Sequence, residues 1–113
     1  MQRDALEQLT SVFPADNLDR ANAHLEYGRS LLAGKNTVDA VMQFGVARNA
    51  LANRYGDTSW RVAEIDYLKA VALDIQGLQQ DAAVLRESAI SRIETQLPQD
   101  HSIRQEVTSG KIL

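Results

Sequence analysis

A chain of 113 residues, 44% apolar and 24% charged, is long enough for one folded domain. Its net charge of -3 lacks the broad cationic surface that phosphate contacts need, which sets nucleic acid aside as a partner. The absence of cysteine excludes disulfides, thiolate catalysis and thiolate zinc sites together.

Residues 1–10 carry Arg3, Asp4 and Glu7 among their apolar positions, so they do not read as a secretory signal. No apolar run approaches the ~20 residues of a membrane-spanning helix, and a soluble, cytoplasmic protein without membrane contact is expected. The first helical stripe is short: Leu6, Leu9, Val12 and Phe13 within a segment 3–13, ended by Pro14. Next come Leu18, Ala21, Leu25, Gly28, Leu31 and Leu32, spaced for one helix face. Gly34 is the expected stop, because glycine reaches positive φ without a Cβ clash. A second face follows in Val38, Val41, Met42 and Leu51, up to the breaker Tyr55-Gly56-Asp57. Trp60, Ala63, Tyr67, Ala70, Val71 and Leu73 then lead to Gly77, and Ala82, Leu85, Ala89 and Ile93 lead to Leu97-Pro98. Residues 101–109 begin one more helix. Asp16 or Asn17, Thr58 or Ser59, and Asp100 are the expected N-caps, since their side chains can accept from the free first-turn amides.

These elements recur at a fixed interval of 42 residues. Ala5, Ala47 and Ala89 form one series and Leu9, Leu51 and Ile93 another; Leu31 matches Leu73, Asp39-Ala40 matches Asp81-Ala82, and Pro14, Asp16 and Arg20 return at twice the step as Pro98, Asp100 and Arg104. A period of this size means a repeat array. The chain therefore divides into a half-unit at 3–13, a repeat at 17–55, a repeat at 59–97 and the start of a further unit at 101–109, all within one domain spanning 1–113. Each full unit is a helical hairpin, and small residues at Gly28 and Ala70, Ala40 and Ala82, and Ala47 and Ala89 mark where helices approach closely.

Chemistry is sparse. His24 and His101 are the only imidazoles, and neither has a helical i, i+4 metal-binding companion, so both read as structural. The acidic residues are spread singly over polar faces, and there is no phosphate loop, nucleophile elbow or carboxylate pair. No enzyme activity and no cofactor or metal are expected. Trp60, first apolar residue after the middle joint, reads as a plug between hairpins in preference to an exposed anchor.

The spacing of Gly28, Ala40, Phe44 and Ala47 in one unit, and of Ala70, Gly77, Ala82 and Ala89 in the next, resembles the tetratricopeptide repeat family in its long variant of about 42 residues, as in kinesin light chains. Leu97-Pro98-Gln99-Asp100-His101 is similar to that variant's joint. Two departures stand out: Gly34 falls one place before the site matched by Gly77, and Arg86 stands where Phe44 sets an aromatic. The resemblance implies an all-α, right-handed superhelix of antiparallel helix pairs whose first helices line a concave groove. Carried over position by position, it places Asn22, Leu25, Arg29 and Leu32 from one hairpin, and Glu64, Tyr67, Val71 and Asp74 from the next, in that groove. Leu25, Leu32, Tyr67 and Val71 would take an apolar anchor, while Arg29 and Asp74 set register; the alternative for Tyr67 and Val71 is plain packing between helices. Glu64 and Asp74 would oppose the carboxylate-binding role of some members.

The expected function is a protein-interaction module that receives a peptide or helix of another protein. Two others stay open: a spacer that self-associates through its unfinished ends, and the docking or sensing part of a larger bacterial signalling protein, which rests on family analogy alone.

Overall fold

The computed structural model describes residues 18–109. The half-unit at 3–13 and the expected caps Asp16 and Asn17 lie outside them. The described residues are all helical apart from short turns: α1 (Leu18–Ala33), α2 (Thr37–Tyr55), α3 (Trp60–Ile75), α4 (Gln79–Gln96) and α5 (Ser102–Ser109). Helices start at Leu18, Trp60 and Ser102, and at Thr37 and Gln79, each 42 residues apart.

The step extends to individual hydrogen bonds. At the first hairpin turn, the Lys35 amide donates to Leu32 O at 2.9 Å and the Asn36 amide to Leu31 O at 2.8 Å; at the second, Gly77 donates to Asp74 O at 3.0 Å and Leu78 to Leu73 O at 2.9 Å. This is the two-bond closure that satisfies the last carbonyls of a helix when the following residue turns left-handed. The left-handed residues are Lys35, φ 65, and Gly77, φ 86. Gly34 is therefore not the residue that reaches positive φ, which corrects the expectation placed on it. The turn keeps the 42-residue register, and Lys35 carries the backbone conformation that glycine carries one unit later. Asn36 and Leu78 serve both as the end of this closure and as the start of the next helix, with the Ala40 and Ala82 amides donating to their carbonyls at 3.1 and 3.0 Å.

The joints between hairpins are capped alike but with different atoms. Ser59 Oγ accepts from the Arg61 amide at 3.2 Å, and His101 Nδ1 accepts from the Ile103 amide at 3.1 Å. Ser59 is thus the cap of α3. At α5 the cap is His101 and not Asp100, because the helix begins one residue later than the aspartate requires and the unprotonated imidazole nitrogen accepts as a hydroxyl would. Gln96 reinforces the middle joint, accepting from the Trp60 amide at 2.8 Å and donating to Thr58 O at 2.6 Å.

Packing follows the small residues. α1 lies on α2 and α3 on α4, the two hairpins meet through α2 and α3, and α5 closes over α4. Ala40, Ala47, Ala70, Ala82 and Ala89 are fully buried. Phe44, Leu32, Ile65, Leu68, Ile93 and Val62 are the largest side chains wholly inside. α3 supplies three of those six, as expected for the helix that sits between both hairpins. α5 turns Val107 and Ile103 inward and leaves Ser102, Gln105, Thr108 and Ser109 exposed. Its outer face is polar. No helix among the described residues is long and apolar enough to cross a membrane.

Candidate functional site

The first helix of each hairpin carries the eight residues assigned to a groove, and the structure treats them unequally. Asn22 and Asp74 are exposed, Arg29 and Val71 half-buried, and Leu25, Leu32, Glu64 and Tyr67 buried. Leu32 is fully enclosed in the core, on the same stripe of α1 as Ala21, Leu25 and Gly28, so it offers nothing to an incoming ligand. Tyr67 is covered by α5, and its hydroxyl donates to Val107 O at 3.4 Å. It packs between helices, the second of the two roles open to it, and so does Val71, which lies half-buried against the core. Asp74 is paired with Arg86, the residue that replaces the expected aromatic. Burial is the physical reason that Leu32 and Tyr67 present no surface to a groove.

Three of the eight do come together around a cavity of about 160 Å³ between the start of α1, the end of α2 and the start of α3. Leu25 joins Leu18 and Leu51 as its apolar lining, while Asn22 and Glu64 supply polar groups. Tyr55, Trp60 and Arg61 complete it. The Arg61 guanidinium stacks 4.2 Å from the centre of the Tyr55 ring and 4.5 Å from that of Trp60, and Trp60 meets His101 edge-on at 5.4 Å. Trp60 is half-buried, so it both seals the joint and lines the cavity. Arg61 escaped the sequence reading because nothing in its own periodicity distinguishes it. The available signal was a cation next to Trp60 and one helical joint away from Tyr55, two rings it can stack on.

Glu64 is the acid of the cavity, opposite in sign to Arg61. Its Oε2 accepts from Arg29 Nη2 at 3.1 Å, and Glu106, one repeat step further along, stands 3.6 Å from the same nitrogen. Burial pushes the Glu64 carboxyl up, the Arg29 guanidinium pulls it back, and the carboxylates of Glu106 and Glu26 push it up again. Glu64 and Glu106 thus share the Arg29 guanidinium.

Other polar clusters are built into the frame. Asp66, 4% exposed, accepts from Arg48 Nε at 2.8 Å and Arg92 Nη2 at 2.6 Å, and Arg92 also donates to Asp57 O at 3.1 Å. The pair ties α2, α3 and α4 together and holds the Arg48 guanidinium more firmly charged than usual, chiefly through its hydrogen bond to Asp66. His24 is buried on α1 with Nδ1 2.6 Å from Gln43 Oε1, so Nδ1 carries the hydrogen, and Nε2 has no hydrogen-bond partner among the described residues. Among the described residues no group of three His, Cys, Asp or Glu side chains is placed to hold a metal ion. A larger depression of about 530 Å³ lies over α5, lined by Glu94, Gln99, Arg104, Gln105, Thr108 and Ser109. Among the described residues it has no aliphatic or aromatic side chain to anchor a ligand.

Comparison with known proteins adds no relative: no family model matches the sequence, and searches of curated proteins and of solved structures give no match either.

Proposed function

We propose that this chain is a protein-interaction module that takes an extended peptide or a helix of another protein along the face of its first helices. In this reading the hairpins belong to a right-handed, tetratricopeptide-like superhelix, and the chain acts by binding and carries out no reaction itself. The observation that carries it is the cavity beside α1 and α3, where an apolar lining of Leu18, Leu25 and Leu51 meets Asn22, Arg61 and Glu64 at one place. Pockets that combine apolar walls with a few convergent polar groups are the usual form of a recognition site. An apolar side chain of the partner enters between Tyr55, Trp60 and Leu25, and backbone amides of the partner meet Glu64 and Asn22. The polar outer face of α5 favours this reading over end-to-end self-association through that helix.

The test is selection of peptides from a random library on the full chain, followed by anisotropy titration with the labelled winners. Asn22→Arg places a long side chain across the cavity from an exposed position and is expected to weaken binding at least ~10-fold, the loss that follows when an anchor pocket is blocked. Peptides that bind Asn22→Arg as tightly as the wild type, or a library that yields no binder, would overturn the assignment.

A further inference from the structure

One arginine at the cavity beside α1 and α3 has no acid to meet. Arg29, Arg48, Arg86, Arg92 and Arg104 are half-buried, and each forms an ion pair with a carboxylate. Arg61 is half-buried too, yet among the described residues its guanidinium forms no ion pair and no hydrogen bond. The rings of Tyr55 and Trp60 hold it instead, with their centres 4.2 and 4.5 Å away. The repeat frame does not ask for this arrangement. One step of 42 residues later, at the next joint, Leu97, Ser102 and Ile103 stand in the places of Tyr55, Trp60 and Arg61. A cation taken partly out of water costs free energy unless an anion meets it, and stacking on rings offsets only part of that cost.

The surroundings of Arg61 indicate which anion that is. The cavity it lines, about 160 Å³, takes one apolar group of roughly the size of benzene against Leu18, Leu25 and Leu51. The anion therefore sits beside an apolar group of the same ligand. Its charge is limited as well. Glu64 lines the same cavity, and the Arg29 guanidinium is already shared by Glu64 and Glu106. One unpaired guanidinium near a carboxylate suits a single negative charge, whereas a phosphate, with about two, would be repelled by Glu64 with no second cation to offset it. A guanidinium presents paired N–H donors that match a carboxylate, and one already stacked on two rings loses little freedom on binding. We propose that Arg61 determines the specificity of this site by taking the side-chain carboxylate of an Asp or Glu that lies beside the apolar anchor in the partner peptide. A segment running along the first helices passes the cavity with its backbone, so the charge comes from a side chain and not from a chain end. The inference rests on the peptide-binding reading above and narrows it to acidic segments.

The probes are the labelled peptides selected from the random library on the full chain. Their sequences are expected to share an Asp or Glu next to an apolar residue or one helical turn from it. Exchanging that acid for its amide should weaken binding to the wild type at least ~10-fold, the scale of a lost charge-assisted pair, and Arg61→Gln should weaken binding of the acidic peptide by as much. On Arg61→Gln the acidic peptide and its amide should bind alike to within about threefold, because the two changes remove the same contact. The exchange in the peptide is read on the wild type, so the result stands even where Arg61→Gln folds poorly. Amidating the peptide's C-terminus should leave affinity within about threefold of its starting value. An acid-to-amide exchange without effect on the wild type overturns the proposal, and so does one that costs as much on Arg61→Gln. Binding abolished by terminal amidation, or tightened by phosphoserine in place of the acid, overturns it in favour of a chain end or a phosphate. Peptides that are blocked by Asn22→Arg but indifferent to their own acid overturn this inference alone and leave peptide binding standing; a library without binders overturns both.

Discussion

The ring of Phe44 fills the place that a side chain on Gly28 would take: a Cβ added to Gly28 would stand 2.6 Å from Phe44 Cε1 and 2.7 Å from Cδ1. Phe44 is almost wholly buried, so the ring has no free direction in which to move. Gly28→Ala gains helix propensity of about 1 kcal/mol but forces this contact open, and overpacking costs of ~1–3 kcal/mol should outweigh the gain. Phe44→Ala should cost about 3–5 kcal/mol through the cavity it leaves. In the double variant the new methyl occupies part of that cavity, so urea denaturation should show the two losses adding to less than their sum. The second hairpin solves the same contact differently, with Ala70 and Arg86 at the matched positions and Arg86 directed to Asp74.

Lys35 sits in the left-handed region that its match, Gly77, occupies freely. A non-glycine residue there costs roughly 1 kcal/mol. Lys35→Gly should therefore stabilise the chain only slightly, by about 0–0.6 kcal/mol, the net after the added freedom of the unfolded chain. Gly34→Ala should be neutral or slightly stabilising, because a Cβ at Gly34 would stand at an ordinary 3.6 Å from Leu31 O. Denaturant midpoints of the two single variants decide the matter: destabilisation by Gly34→Ala would place the left-handed turn at residue 34 after all.

The hairpin turn shows what the sequence makes legible and what it conceals. Periodicity located every described helix, and the 42-residue step from Lys35 to Gly77 already marked the left-handed position; residue type pointed one place earlier because Gly34 is the obvious candidate. The step is the stronger signal, since hydrogen-bond register must be kept for the hairpins to stack, while one strained residue is tolerated. The site is less legible for a related reason. Spacing shows which residues share a face, but Leu32 and Tyr67 share theirs with the core, and only the placement of α2 and α5 decides that they are covered. Arg61 and Tyr55 meet across a joint, a contact that depends on the turn at Gly56 and not on any helical period.

Asp66 is the polar centre of the frame. It is buried, and its two guanidinium partners come from α2 and α4. Removing the carboxylate leaves two arginines close together with no acid between them. Asp66→Ala should cost about 1–3 kcal/mol, discounted from a fully buried pair because the Arg48 and Arg92 side chains keep contact with solvent, and Asp66→Asn nearly as much, because one amide cannot neutralise two cations. Arg48→Met alone should cost less, since Arg92 remains to satisfy the acid. Thermal unfolding of the three variants should rank them in that order; an Asp66→Ala protein as stable as the wild type would mean that the network is not coupled to folding.

Glu64 should give the chain an unusual pH response. Its carboxyl is raised above the ordinary glutamate value, first by burial, and Arg29 only partly offsets this. A group whose folded pKa is raised contributes stability that is complete below its unfolded value and is lost as pH rises through its folded value. The stabilising part from Glu64 is therefore present in mildly acidic solution and fades towards neutrality, opposite in sign to that of an acid held by a strong ion pair. Glu64→Gln keeps the shape and removes the titration. Urea midpoints of wild type and Glu64→Gln, measured from pH 4 to pH 7 across the window that begins near the ordinary glutamate value, should diverge as pH rises, with the variant losing less stability than the wild type. Parallel curves would show that Glu64 ionises as freely in the folded chain as in the unfolded one, and that Arg29 and solvent together cancel the effect of burial.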